Sequence, residues 1–150
     1  MAAVLEDARS KDLNRLYEIE KECFDEEAFT REQISQLLDD YNTVSLVARV
    51  GGKIVGFVIG MIYVDKKALY GHVLTVDVVP SYRRRGFGRL LMNEIEKIFA
   101  MKSVEGSYLE VREDNEPAIQ LYLQLGYRII GKLDHYYGKA HGICLKKTLI

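Results

Sequence analysis

The stretch Arg83-Arg84-Arg85-Gly86-Phe87-Gly88-Arg89 crowds guanidinium groups around two glycines. It stands just ahead of an apolar stripe at helical spacing, Phe87, Leu90, Leu91, Ile95, Ile98 and Phe99. A helix N-terminus carries unpaired N–H groups and about half a positive charge. Glycines let the backbone approach a ligand closely and adopt φ values closed to other residues. A strand, a glycine-rich turn and a helix in succession make an anion site, most often for phosphate. The chemistry implied is a phosphate or pyrophosphate clamp; the plain alternative is a solvated basic turn. There is no G-x-x-x-x-G-K-[ST] and no G-x-G-x-x-G, so neither a P-loop nor a dinucleotide fingerprint is present.

The rest of the chain makes that basic cluster a local feature. Formal net charge is −1 over 150 residues, so no global field favours nucleic acid. With 48% hydrophobic and 29% charged residues, the composition is that of one globular domain spanning 1–150. Cys23 and Cys144 sit in no C-x-x-C pattern, which argues against a disulfide scaffold and for a reducing, cytoplasmic setting. Together with His135 and His141 they match no zinc spacing, so no metal is expected. No apolar run reaches the roughly 18 residues of a membrane span. The N-terminus lacks the order of a signal peptide.

Periodicity then supplies the elements that must position the clamp. Residues 4–9 read as a short strand, and Ser10 or Asp12 opens a helix carrying Leu13, Leu16, Tyr17 and Ile19. The acidic run "CFDEEAF" interrupts it, and "TREQ" is a capping box that starts a second helix at Thr30. "VSLVARVGGKIVGFVIGMIYV" reads as two strands joined at Gly51-Gly52. "LYGHVLTVDVV" is a long strand ended by Pro80, and "SYLEV" another beyond the helix that follows the glycines. Pro117 and Gly126 bracket a further helix, "AIQLYLQL", and "YRIIGKL" and "GICLKKTLI" close the chain as strands. The order predicts a mixed α/β (α+β) sheet, antiparallel at first, with a right-handed parallel crossover across residues 70–112. Asp77 stands out as an acid inside an apolar strand, with no account from the sequence.

"VDVVPSYRRRGFGRLL" resembles the acetyl-CoA motif of the GNAT superfamily of N-acetyltransferases, [RQ]-x-x-G-x-[GA] after a strand and a proline-containing turn, here Arg83, Gly86 and Gly88. "LEVREDNEPAIQLYLQLGYRIIG" is similar to the family's later block. Within the superfamily the chain most resembles the protein N-terminal acetyltransferases, the ribosomal-protein-alanine (RimI) type and its archaeal relatives, through "GHVLTV", "LEVREDN" and "YYGKAHGICLKKTL". The resemblance implies a GNAT-like fold, a mixed sheet of about seven strands splayed between the fourth and fifth, with four helices on its two faces. It implies acetyl-CoA as cosubstrate. The backbone of Val76, Asp77 and Val78 would hold pantetheine and polarise the thioester carbonyl, and the amides of Arg84, Arg85, Gly86, Phe87, Gly88 and Arg89 would hold the pyrophosphate. Asn115 would bond the cofactor or cap the helix after it.

By the same resemblance, Tyr122 protonates the departing thiolate and Glu110 is the base, with His72 on the neighbouring strand near the amine. Glu110 and His72 would flank one water; otherwise Glu110 is a surface carboxylate paired with Arg112, His72 a core histidine and Tyr122 an ordinary helix aromatic. Phe24 and Phe29 would wall the pocket for the first acceptor residue, Glu26 with Asp25 and Glu27 would attract a cationic peptide end or form a solvated acidic loop, and Tyr136 and Tyr137 would grip the peptide backbone. The expected activity is acetyl transfer to protein or peptide N-termini, ribosomal proteins among them, by direct attack in a ternary complex. The alternatives are a lysine, polyamine or small-amine acetyltransferase, and a silent acyl-CoA-binding module. An α-amine has a pKa of about 7.7–8.0 and a lysine about 10.4, so a modest base suffices for N-termini only. Neither nucleic acid nor membrane is an expected partner, and the chain should be a monomer or a weak homodimer.

Overall fold

The computed structural model describes residues 2–150. Seven strands form one sheet: β1 (Val4–Asp7), β2 (Thr43–Val50), β3 (Lys53–Asp65), β4 (Ala68–Val78), β5 (Val104–Arg112), β6 (Arg128–Tyr137) and β7 (Ala140–Thr148), in the spatial order β1-β2-β3-β4-β5-β7-β6. All neighbours are antiparallel except β4 and β5, joined by the crossover through α3 (Phe87–Met101). The hairpin between β2 and β3 turns on Gly51 and Gly52, at φ 58° and 81°, the positive pair that a tight two-residue turn requires. The final strands run further than the apolar pattern indicates: β6 continues through His135-Tyr136-Tyr137, where polar and aromatic residues hide the alternation.

Helices α1 (Leu13–Phe24) and α2 (Arg31–Asp39) cover one face of the sheet, packing Leu16, Ile19 and Ile34 on Val47, Phe57 and Ile59. The capping box at Thr30 forms as its sequence predicts: its hydroxyl accepts from Gln33 N–H at 3.1 Å, and the Gln33 side chain accepts from Thr30 N–H at 2.9 Å. On the other face lie α3 and α4 (Glu116–Gln124), with Leu91, Met92, Ile95, Phe99 and Tyr122 against Val55, Val58, Leu109 and Leu145. The seat of α3 is set by a missing side chain: a Cβ on Gly71 would lie 2.4 Å from the Phe99 ring. This packing fixes where α3 begins, and so where its free amides point.

Candidate active site

The parallel pairing of β4 with β5 covers only Leu69–His72 against Val104–Tyr108. Beyond it β4 runs on to Val78 and β5 to Arg112 without a shared ladder, so the sheet opens as a wedge. Val79 donates its N–H to the Val55 carbonyl on β3 at 2.9 Å. Strand alternation therefore turns the backbone groups of Val76 and Val78 to the open side and those of Asp77 to β3. A cavity of about 840 Å³ lies at this opening, lined by β4, the end of β5, the α1–α2 connection and the β6–β7 turn.

Within it His72 Nε2 and Glu110 Oε1 are 2.6 Å apart. The register makes this contact: His72 pairs with Tyr108 at the last rung before the strands part, and Glu110 is the next residue on that face of β5. The two groups touch directly, with no room for a water between those atoms. Arg112, on the same face, leaves Glu110 alone. It pairs with Glu27 from the α1–α2 connection and holds Asp114 through its Nε at 3.0 Å.

Phe24, Glu26, Phe29, Tyr136, Tyr137, Val76 and Asn115 all line the cavity together with His72 and Glu110. Burial, then the neighbouring Glu110, raises the Tyr136 hydroxyl above its ordinary range; Tyr137 is raised further, by burial and by Tyr136. Asn115 caps α4, its side-chain oxygen accepting from Ala118 N–H at 3.3 Å. Tyr122 packs behind the cavity wall, edge-on to Tyr127 at 6.0 Å between centroids. Burial, with Asp77 adding to it, pushes its hydroxyl well up, which favours the neutral phenol.

At the donor end the turn is shaped by Arg84 at φ 63° and Gly86 at φ 87°. The first helical bond of α3 runs from Leu90 N–H to the Gly86 carbonyl at 3.0 Å. The amides of residues 86–89 therefore have no partner inside the helix. The arginine side chains are partly committed elsewhere. Arg83 donates Nε to the Val78 carbonyl at 3.1 Å, Arg85 lies 5.2 Å above the Tyr82 ring, and Arg89 bonds Gln124 at 2.6 Å.

Three features of the site go unread in the sequence. Cys23 lies beside Arg83 and the Val78 carbonyl, and burial pushes its thiol up to about 11. The Arg112–Glu27 pair joins β5 to the α1–α2 connection. Deepest is a buried cluster of Glu20, Thr75 and Asp77. Burial, with Glu20 beside it, pushes the Asp77 carboxyl well above the usual range. One signal was available: Glu20 continues the apolar stripe of Leu13, Leu16 and Tyr17 at i+7, where an apolar residue belongs.

Residues 13–127 match the acetyltransferase (GNAT) family, and the chain belongs to it. It is 40% identical over 111 residues to an N-alpha-acetyltransferase of Sulfurisphaera tokodaii, a stretch covering 67% of this chain and 65% of that protein. The chain thus spans just under two thirds of the length of that curated relative. With an N-alpha-acetyltransferase of Saccharolobus solfataricus it shares 31% identity over 144 residues, 89% of this chain and 84% of the relative. Among solved structures, Ard1 from Thermoplasma volcanium superposes with a TM-score of 0.90 at 25% identity, over 100% of this chain and 99% of that one. The fold is the mixed GNAT sheet with its parallel β4–β5 pair and four helices.

Proposed function

We propose that this chain transfers the acetyl group of acetyl-CoA to the α-amine of protein or peptide N-termini, by direct attack in a ternary complex. The observation that carries the reading is the His72–Glu110 pair, 2.6 Å apart at the rung where β4 and β5 separate. The donor set suits acetyl-CoA: free amides at 86–89 for a pyrophosphate, and for pantetheine an edge at Val76 and Val78 that pairs with no strand, although Arg83 already occupies the Val78 carbonyl. Bound acetyl-CoA supplies an acyl group activated as a thioester.

Glu110, oriented by His72, takes one proton from the attacking amine as its nitrogen bonds to the carbonyl carbon. The Val78 N–H, facing the open edge, stabilises charge that develops on the carbonyl oxygen. The C–S bond breaks, Tyr122 gives its proton to the departing sulfur, and the cycle closes as Glu110 releases its proton to solvent and Tyr122 takes one back from solvent. Since about one α-amine in seven is already neutral at pH 7, a carboxylate with a histidine partner is base enough. The curated relatives named above are N-alpha-acetyltransferases, which supports the α-amine as acceptor.

The test is release of free CoA from acetyl-CoA with two matched peptides, one with a free N-terminus and no lysine, the other N-terminally blocked with one lysine. Release with the first alone is expected. Release with the second alone overturns the acceptor assignment. Binding of acetyl-CoA without release from either peptide or from a polyamine panel overturns transfer itself.

A further inference from the structure

The α1–α2 connection carries Phe24, Glu26, Glu27 and Phe29 to the acceptor side of the cavity, yet between Phe24 and Thr30 it has only a single 3-10 turn. From the inside it is held by one buried side chain. Glu20, on the last turns of α1 and 1% exposed, spends both carboxylate oxygens on anchors. One accepts the Phe29 N–H at 3.0 Å, and the other accepts the Thr75 hydroxyl of β4 at 2.8 Å. Without Glu20 the Phe29 amide would lose its protein acceptor, because the capping box of α2 begins one residue later and serves Thr30 and Gln33.

Hydrogen counting says more. The Thr75 oxygen also lies 2.6 Å from Asp77 Oδ1, but a hydroxyl has one hydrogen to donate. One of its two carboxyl contacts must therefore run the other way, with a protonated carboxyl donating to the threonine oxygen. Glu20 already accepts an amide N–H and lines the cavity. Asp77 is 1% exposed, and its second oxygen has no partner. The proton belongs on Asp77.

We propose that Glu20 is a positioning residue for the acceptor groove. It is held in place by a relay in which the Asp77 carboxyl donates to Thr75 and Thr75 donates to Glu20. The relay ties the acceptor-side connection to the same strand that bears His72 and the open-edge amides. Placement of the peptide is thereby coupled to the strand that faces the thioester. This rests on the reading of residues 24–29 as part of the acceptor site.

The test compares Thr75→Val, which keeps the shape and removes the hydroxyl, with Thr75→Ser, which keeps the hydroxyl. Valine should raise the KM for a free-N-terminus peptide about tenfold, with the KM for acetyl-CoA moving less than about twofold, and serine should recover most of the peptide loss. Hydrogen exchange at the Phe29 amide should speed up in Thr75→Val and stay slow in Thr75→Ser. It should also stay slow in Asp77→Asn, whose carboxamide N–H can donate as the protonated acid does. If Val and Ser variants behave alike, or both KM values rise together, the positioning role is overturned. Fast Phe29 exchange in Asp77→Asn overturns the proton assignment. The exchange readout needs no turnover, so a wild-type protein that acetylates no N-terminus would refute the function while leaving the relay to be judged by exchange.

Discussion

The two ends of the cavity are built in opposite ways. At the donor end one run of chain, Val76 to Arg89, supplies an open strand edge, a turn and a helix N-terminus. The groups it offers are largely backbone amides, placed by φ values and by the packing of α3. At the acceptor end the wall comes from four places: the α1–α2 connection, β4, the end of β5 and the β6–β7 turn. Its geometry depends on side chains meeting across 38 residues in His72–Glu110 and 85 in Arg112–Glu27. Side-chain substitutions should therefore separate the two ends cleanly, the acceptor end being the fragile one.

The largest separation is expected from Glu110→Gln. Removing the proposed proton acceptor should lower kcat by about 10²- to 10⁴-fold. The dissociation constant for acetyl-CoA, measured by calorimetry, should stay near the wild-type value, since no donor-end amide is touched. Parallel loss of acetyl-CoA affinity would break the comparison.

Asp77→Asn sharpens it by asking what the buried relay costs. Asp77 faces Glu20 and Cys23 from α1, Thr75 on its own strand, Arg83 from the turn and Tyr122 from α4. Its folded pKa is raised above the unfolded value of about 3.9. The stability it contributes is therefore full below about pH 4 and is lost as pH rises toward the folded value. Wild type should lose stability relative to Asp77→Asn by up to about 1.4 kcal/mol per pH unit above pH 4. Urea unfolding of both proteins at pH 4.5, 5.5 and 6.5 measures the slope. A flat difference would mean that Asp77 titrates as an ordinary carboxylate.

The same contrast explains what the sequence made readable. The run of chain from Val76 to Arg89 is local, so strand, proline turn, Arg83, Gly86 and Gly88 in series announce a helix start with free amides before any folding. The order of elements was equally legible, because apolar period switches cleanly from two to 3.6 along most of the chain. The acceptor end needed tertiary registers. Nothing in "GHVLTV" and "LEVR" fixes that His72 meets Glu110 without a water; the four-rung pairing of β4 with β5 does. Asp77 looked anomalous in its strand because its partners, Glu20 and Thr75, lie 57 and two residues away, and the partner on α1 is invisible to any pattern along β4. The reach of β6 was hidden for another reason: both its faces are largely exposed, so no alternation is imposed on it.

Gly86→Ala attacks the donor end through the backbone alone. A Cβ at Gly86 meets no atom within 4 Å, so space is not at issue, but φ 87° is. Holding a non-glycine residue there costs about 1–2 kcal/mol. Acetyl-CoA should bind up to about thirtyfold more weakly, with the KM for peptide unchanged. Equal weakening for both substrates would show that the turn and the acceptor wall are not independent.

The smallest effect is expected from Arg112→Ala. Its pair with Glu27 joins the acceptor wall to β5 from outside, with side chains 38% and 22% exposed, whereas Glu20 joins it to β4 from inside at 1% exposure. A partly exposed ion pair contributes about 0–1 kcal/mol and is screened by salt. The KM for peptide should therefore rise by no more than about fivefold at low ionic strength, and the difference should shrink toward nothing by about 0.5 M salt. The rise produced by Thr75→Val should persist at that salt, because the hydrogen bonds it removes are shielded from solvent ions. If the Arg112 effect proves the larger and resists salt, the acceptor wall is held from its rim, and the buried relay is secondary to it.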